Sequence, residues 1–483
     1  MTKSHYKFIA LLGGVILSVI FYFLNPFSVS EPAARVLAVA VLMITWWVTE
    51  ALPMPVVALL PLILFPLLRI SELKDASAPY ANPVIFLFLG GFMLGLAIEK
   101  WNLHRRIALN IVRLTGTSGN GIILGFIIAT GMLSMWLSNT ATTMMMFPIA
   151  LSVLQVVREG HGISNPRGVA NFSIAIMLAI AYASNIGGIA TIIGTPPNVA
   201  YVLYIKEKFG HDINFMSWML LCTPLAITLL AALYLVLVKW LFPNRILSDH
   251  STRDVIHEEL SRLGPMKVSE KRVLGIFAGT AFLWITRQII NDLQDLVVLD
   301  DTIIAVMCAV ALFICPSGES EGRDSSILEW SDTSKMAWGI LLLFGGGLAL
   351  AGALEKAGLI QQLGEWLARF GASPLLLLFL VVLLSLFISE VTSNVAQVIV
   401  FAPVVTSLAI AMKLDPLLLG IPMTLAASCA GMLPMGTPPN AIVFSSGHIK
   451  LGHMVKAGFV MNLVAVALVT LFGWYILPLL VRL

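Results

Sequence analysis

Apolar runs of roughly 17 to 25 residues, the length at which a helix crosses the hydrocarbon core of a bilayer, recur along this chain from residues 8–24 to residues 456–480. Lipid cannot satisfy an opened backbone, so such runs read as membrane-spanning helices. Composition agrees: 58% of residues are hydrophobic and 11% charged, against about 25% charged in a soluble globular chain. The expected spans are 8–24, 34–50, 54–69, 82–100, 170–204, 217–241, 272–290, 300–316, 337–355, 414–446 and 456–480. Segments 119–157 and 373–412 look like re-entrant hairpins that enter and leave by one face. The fold class is an all-α polytopic membrane protein of about eleven transmembrane helices plus two hairpins.

The first run follows Lys3 and Lys7 but is long and has no A-x-A site after it, so it is expected to be a retained helix rather than a signal peptide. With the N-terminus cytoplasmic, the segments 100–119, 157–170, 239–272, 316–336 and 447–456 fall inside. Together with the N-terminal tail they hold about two thirds of the 29 Lys and Arg residues, as the positive-inside rule asks. An odd number of spans places the C-terminus outside, and the setting expected is a bacterial inner (plasma) membrane. The net charge of +3 is spread over short loops, which gives no footprint for nucleic acid. Cys222, Cys308, Cys315 and Cys429 lie in or at the ends of apolar segments without metal-ligand spacing and read as core residues.

Internal repetition organises the chain. Leu89-Gly90-Gly91-Phe92 through Glu99-Lys100 returns as Gly345-Gly346-Gly347-Leu348 through Glu355-Lys356, Ser138-Asn139 returns as Ser393-Asn394, and Gly194-Thr195-Pro196-Pro197-Asn198 returns unchanged as Gly436-Thr437-Pro438-Pro439-Asn440. Equivalent points are separated by an odd number of crossings, so the halves form two inverted-topology repeats. The division expected is an N-terminal helix at 1–33, a first repeat at 34–242 with its hairpin at 119–157 and a broken helix at 170–204, a cytoplasmic connector at 243–271, and a second repeat at 272–483 with its hairpin at 373–412 and a broken helix at 414–446. The glycine runs lack a following Lys-Ser/Thr and read as close helix packing rather than phosphate loops.

The Gly-Thr-Pro-Pro-Asn pentapeptides sit where a continuous helix is otherwise expected. Each proline removes a donor and clashes with the carbonyl four residues back, so the pairs should free the carbonyls of Ile192 and Ile193, and of Pro434 and Met435. One such break reads equally as a kink; two at matching positions point to a transport site. The Ser-Asn pairs lie mid-way along segments of about 40 residues, where Ser and Asn favour turns and N-caps. A hairpin tip there starts its returning helix with free N–H groups and a positive dipole end, which suits an anion. Ordinary interhelical hydrogen bonding by Ser and Thr is the plain alternative. No Lys, Arg or His lies within these clusters. A bound dianion must therefore be held by hydroxyls, amides and helix N-termini, with cations offsetting its charge. Freed carbonyls with Ser, Thr and Asn oxygens suit sodium or another small hard cation.

Glu390, the acid beside the second Ser-Asn, could titrate, pair or bind a cation, while Glu50, Glu99 and Glu355 read as interfacial. The eight histidines fall in the tail, loops or helix ends, which speaks against an intramembrane histidine relay. HExxH is absent, and the GxSxG match at residues 318–322 falls in an expected cytoplasmic loop rather than on the strand-turn-helix that a nucleophile elbow needs, so an enzyme is not expected; an anion channel should lack coupling sites.

At these motifs the chain resembles the divalent anion:sodium symporter family, which includes dicarboxylate and citrate carriers, and the likeness covers nearly its whole length. That resemblance implies a homodimer in the lipid bilayer, each protomer having a scaffold domain and a transport domain that moves like an elevator. It implies that Ser138, Asn139, Thr140, Ser393 and Asn394 meet the substrate carboxylates, with Thr195, Pro196, Thr437 and Pro438 closing the site. One sodium would use Ser134, Ser138, Asn139 and Gly194, and a second Ser389, Thr392, Asn394 and Gly436. Val395 departs from a second Ser-Asn-Thr and removes one hydroxyl. The function implied is sodium-coupled symport of C4-dicarboxylates such as succinate, malate and fumarate, without an organic cofactor; sodium-independent exchange and citrate or sulfate carriage are the alternatives.

Overall fold

The computed structural model describes residues 3–25, 28–116, 118–161, 165–246, 257–294, 297–318, 326–368 and 373–480. Among these residues the structure is helical apart from one isolated bridge between Pro316 and Ser326. The middle of the expected connector, 247–256, with His250, lies outside the described residues, as does the side chain of His161.

The first stretch gives α1 (Lys3–Leu24), α2 (Glu31–Val48), α3 (Met54–Val57), α4 (Leu60–Leu67) and α5 (Leu73–Ser77). Two series of elements in matching order follow. The first comprises α6 (Pro83–Lys100), α7 (Leu103–Leu114), α8 (Gly119–Ser134), α9 (Asn139–His161), α10 (Pro166–Gly188), α11 (Pro196–Phe209) and α12 (Phe215–Tyr234), which runs on as a π-helix over Leu235–Leu241. After α13 (Val268–Leu293) and α14 (Asp301–Ile314) comes the second: α15 (Trp338–Lys356), α16 (Leu359–Ala368), α17 (Pro374–Ser389), α18 (Asn394–Ala411), α19 (Pro416–Ala427), α20 (Pro438–Ser445) and α21 (Leu451–Leu471), with a π turn over Phe472–Ile476 and a last short α22 (Leu477–Leu480). The ends follow local chemistry. Asn82, Ser118, Asn165, Asn214, Ser373 and Asp415 each accept a hydrogen bond from a first-turn amide of the helix they start.

Ten of the described helices are long and apolar enough to cross a membrane. They are not the expected set. Residues 54–69 form two short helices with a break at Ala58–Leu59, and 300–316 gives a 14-residue helix, about 21 Å long at 1.5 Å per residue. Conversely, one arm of each expected hairpin, α9 and α18, is long enough to be a span by itself. Hydropathy alone measures a run; it does not see where the helix stops inside it.

Residues 103–114, expected in a loop, fold as α7, whose Leu103, Ala108, Leu109 and Val112 are buried. Its polar side ties down the described end of the connector: Arg106 donates to Glu270 at 2.6 and 3.1 Å and to the carbonyl of Gly264 at 3.0 Å, and Arg105 pairs with Glu259. His104, in the first turn of α7 and so at a helix end as expected, is buried with a ring nitrogen 3.0 Å from the carbonyl of Ile98. Burial pushes its pKa below the ordinary histidine value against that hydrogen bond, and Arg105 adds to the fall.

α10 is the central column, with every residue from Phe172 to Gly188 buried. Across it the two series meet: Tyr182 Oη donates to the carbonyl of Gly431 at 2.7 Å. The glycine runs do pack closely. A Cβ on Gly90 would come within 3.0 Å of the Ala305 carbonyl, and one on Gly346 equally close to that of Ala58; on Gly91 it would rest 3.4 Å from Ile193 Cγ2. We expect Gly90→Ala and Gly346→Ala each to cost about 1–3 kcal/mol through overpacking against rigid backbone. Gly91→Ala should be close to neutral. Thermal melting of the detergent-solubilised protein followed by size-exclusion chromatography measures the difference; equal melting of all three would contradict it.

Candidate functional site

Each broken helix is interrupted just before its proline pair. The first gap spans 189–195, between α10 and α11, and the second 428–437, between α19 and α20. The prolines do not sit inside the break: Pro196 and Pro438 open the next helix, where a missing N–H costs nothing. The carbonyls that gain an internal donor lie earlier in the chain than the four expected to be freed, Ile192, Ile193, Pro434 and Met435. Asn198 Nδ2 reaches the carbonyls of Gly188, Ile189 and Thr191 at 3.2, 3.4 and 2.8 Å. Asn440 Nδ2 does the same to Ala430 and Leu433 at 3.4 and 3.1 Å. The last residue of the pentapeptide thus closes the opened backbone in both halves.

The helix pairs turn at 135–138 and 390–393. Ser138 Oγ accepts from the amide of Ala141 at 3.2 Å and Ser393 Oγ from that of Ala396 at 3.5 Å, so both serines act as N-caps of the returning helix. Behind each tip a buried serine repeats one geometry. Ser134 Oγ lies 2.8 Å from Asn139 Oδ1 and 2.7 Å from the carbonyl of Ser184; Ser389 Oγ lies 2.6 Å from Asn394 Oδ1 and 2.6 Å from that of Ala427. One hydroxyl proton serves two oxygens each time, so both clusters are rich in oxygen and poor in donors. The amide end of Asn139 that faces Ser134 also lies 3.1 Å from the carbonyl of Ser184 and 3.3 Å from that of Gly194. With its oxygen inward, four oxygens converge. With nitrogen inward, the amide itself would satisfy the other three.

Both tips and both breaks line one cavity of about 970 Å³. All nine residues expected to meet or enclose a substrate are in its wall: Ser138, Asn139, Thr140, Thr195, Pro196, Ser393, Asn394, Thr437 and Pro438. Of the expected cation ligands, Thr392 and Gly436 also line it, whereas Ser134, Gly194 and Ser389 lie behind the wall, fully or almost fully buried. Thr392 Oγ1 donates to the carbonyl of Ile388 at 2.9 Å, within its own tip. Glu50, Glu99 and Lys335 line it as well, so the wall contains a basic side chain although none lies in the motif clusters.

The two tips differ. Trp136 stacks with Phe215 and Trp284 (ring centroids 5.8 and 6.5 Å) and meets Phe277 edge-on at 4.9 Å. In the second tip Val391 is largely exposed and Glu390 is buried. The Glu390 carboxylate neither pairs with a cation nor stands free: it accepts from the amides of Gly431, Met432 and Leu433 at 2.8, 2.8 and 3.0 Å and from Asn462 Nδ2 at 2.6 Å. It supplies the acceptors that the second break's N–H groups lack. Two residues that the sequence did not single out join the site: Asn462, and Asn185, which lines the cavity and donates to Thr437 Oγ1 at 3.0 Å. Neither belongs to a repeated motif.

The family described as the sodium:sulfate symporter transmembrane region matches residues 2–481. The sodium-dependent dicarboxylate transporter SdcS of Staphylococcus saprophyticus is 40% identical over 471 residues, which covers 97% of this chain and 91% of that protein. Its counterpart in Staphylococcus aureus strain MRSA252 is 40% identical over 481 residues, covering 97% and 90%. Among solved structures, the YdaH transporter of Alcanivorax borkumensis aligns over 82% of this chain and 85% of its own at a TM-score of 0.54 and 15% identity, a likeness of fold alone.

The role of the pentapeptide asparagines is open to a direct test. Asn198→Ala and Asn440→Ala each leave buried carbonyls without a donor, at about 1–3 kcal/mol per variant. Asn198→Asp should be worse, since it aims an acceptor at three carbonyl oxygens. Melting temperatures should therefore fall in the order wild type, alanine, aspartate; an aspartate variant as stable as alanine would refute the assignment.

Proposed function

The chain belongs to the sodium:sulfate symporter family, the divalent anion:sodium symporters that its motifs resemble, and from that premise we propose that it carries C4-dicarboxylates such as succinate, malate and fumarate across the membrane together with sodium. It is an integral membrane protein and not an enzyme. The observation that carries the reading is the meeting of two Ser-Asn tips and two Gly-Thr-Pro-Pro-Asn breaks in one cavity. The 40% identical relatives named as sodium-dependent dicarboxylate transporters support both cargo and coupling ion.

A dianion in this cavity meets hydroxyl and amide donors from both halves: Ser138, Asn139 and Thr140 from one tip, Ser393 and Asn394 from the other, with Thr195, Pro196, Thr437 and Pro438 bounding it. Sodium binds behind each tip, one ion among Ser134, Ser138, Asn139 and Gly194 and the other among Ser389, Thr392, Asn394 and Gly436. The donor-poor oxygen clusters around Ser134 and Ser389 suit a hard cation. Each charge in excess that crosses is worth about 2.3 kcal/mol per 100 mV, so more than two sodium ions per dianion makes uptake electrogenic.

Access alternates by an elevator movement. The unit that moves comprises the tips and broken helices of both inverted repeats (34–242 and 272–483); the early helices of each repeat are the scaffold, through which two copies form a homodimer. With the N-terminus cytoplasmic and the C-terminus external, Glu50, Glu99 and Lys335 mark the cytoplasmic side. Their place in the cavity wall supports an inward-facing state. The bilayer is a bacterial plasma membrane.

Uptake of labelled succinate into proteoliposomes tests this, with and without an inward sodium gradient and with unlabelled succinate, citrate or sulfate as competitors. Sodium-dependent uptake blocked by succinate is expected. Ser138→Ala and Ser393→Ala should each lower kcat/KM for succinate about tenfold or more, the worth of a hydrogen bond to a charged group. Uptake indifferent to sodium would remove symport in favour of exchange, and preference for citrate or sulfate would reassign the cargo.

A further inference from the structure

Asn185 stands outside every repeated motif, yet it joins the two halves at the site. It is 2% exposed, sits near the end of α10 and lines the cavity. Its Nδ2 donates to Thr437 Oγ1 at 3.0 Å, and its Oδ1 faces Asn139 Nδ2 at 3.5 Å, the long limit for a hydrogen bond. Thr437 Oγ1 also accepts from the amide of Asn440 at 3.4 Å. A hydroxyl accepts twice and donates once. With both acceptor sites engaged, the Thr437 proton is left for the cavity, where a carboxylate would take it.

We propose that Asn185 is a positioning residue that couples cation binding behind the first tip to substrate binding at Thr437, through a concerted turn of the Asn139 and Asn185 side-chain amides. The inference rests on the sodium-coupled dicarboxylate reading above. An amide carries an acceptor at one end and donors at the other, so turning one member of a chain dictates the next. When a cation lies among Ser134, Asn139 and Gly194, the Asn139 oxygen faces it and its nitrogen faces Asn185. Asn185 then presents Oδ1 to Asn139 and Nδ2 to Thr437, and the Thr437 hydroxyl donates to substrate. Without the cation, the Asn139 nitrogen turns inward and donates to Ser134 Oγ, the Ser184 carbonyl and the Gly194 carbonyl, at 2.8, 3.1 and 3.3 Å. Its oxygen now faces Asn185, which turns to donate. Asn185 Oδ1 then takes the Thr437 proton, and the substrate loses a donor. No proton changes owner; only orientations change.

The wiring runs one way. The serine contacts behind the tips match Ala427 with Ser184, so Ser428 stands where Asn185 does and offers no amide to turn, and Thr195, the counterpart of Thr437, makes no side-chain capping bond. Sodium at the first-half site therefore reports to a second-half threonine, and no matching relay serves the other ion.

Equilibrium binding of labelled succinate to the purified full-length protein, at low and at saturating sodium, yields the factor by which sodium tightens succinate; linkage requires the same factor for succinate on sodium. Asn185→Leu, close in size, removes the acceptor that takes the Thr437 proton when sodium is absent, so it should tighten succinate about tenfold at low sodium and change it little at saturating sodium, and the coupling factor falls about tenfold. Thr437→Val should lower the factor equally, by weakening succinate at saturating sodium and hardly at low sodium, and Thr437→Ser should restore it. The double variant Asn185→Leu/Thr437→Val should be no worse than Thr437→Val alone. A coupling factor in Asn185→Leu equal to wild type, additive losses in the double variant, or an equal loss at both sodium concentrations would overturn the relay. Should Asn185→Leu fail to fold, the Thr437 pair decides: Thr437→Val with an undiminished factor overturns it. Wild-type protein whose succinate binding ignores sodium sinks the transport reading and the relay with it, and shows this before any substitution is made.

Discussion

An opened backbone inside a membrane has to be closed by the protein itself, and that requirement organises the rest of this structure. A continuous helix satisfies its own amides; a helix stopped mid-membrane exposes N–H and C=O groups whose burial unpaired costs several kcal/mol in hydrocarbon. Both breaks meet the requirement by the same device, an asparagine two residues beyond the first proline that folds back on the carbonyls it has just passed. The first break takes further help from Trp218 Nε1, which donates to the carbonyl of Ile189 at 3.1 Å. Such groups cannot face lipid, so the breaks turn inward, and burial of α10 along almost its whole length follows. The cavity exists because two interrupted helices had nowhere else to point.

The halves solve the same problem with unequal parts. The gap before the second pentapeptide is longer and leaves three successive amides, at Gly431, Met432 and Leu433, with no helical partner. A full carboxylate answers them. Glu390 brings both of its oxygens, and the position before the first tip that corresponds to it holds Met135, whose carbonyl accepts from Thr191 Oγ1 instead. A Cβ on Gly436 would lie only 3.1 Å from Glu390 Oε2, so glycine there keeps the break close to the acid. Trp136 has no aromatic counterpart either; Val391 stands in its place. Duplication supplied the frame, and the divergence lies in what each half does with the tip.

What could be read in the sequence was what repeats. The pentapeptide, the Ser-Asn pairs and the glycine runs are short, local and present twice, and each carries a backbone reason, so their positions around one cavity and between close helices were legible. What could not be read depends on partners far along the chain. Glu390 looked like an unexplained intramembrane acid because three of its donors are backbone amides about 40 residues on, which no side-chain pattern reveals, and the fourth, Asn462, lies 72 residues on. Asn185 and Asn462 occur once, in runs of small and apolar residues. α7 was hidden by its charges, which look like a loop until Leu103, Ala108, Leu109 and Val112 are placed on one face. The split of 54–69 was hidden by uniform apolarity, and its one mark is Pro61, which sits in the first turn of α4.

The chemistry of the cavity wall bears on why a carrier would be built this way. A dianion held by buried arginines would be bound whether or not anything accompanied it, and pulling it away from fixed charges in a low dielectric would be slow. Hydroxyls, amides and helix N-termini attract more weakly and leave net negative charge behind. Binding then becomes favourable only when cations arrive as well, and release follows when they leave. The one basic side chain in the wall, Lys335, is exposed and lies outside the Ser-Asn clusters in sequence. In the proposed cycle, dependence of one ligand on the other is set by what the tips lack, and a side chain such as Asn185, neutral and able to turn end for end, is suited to transmit it without adding a charge of its own.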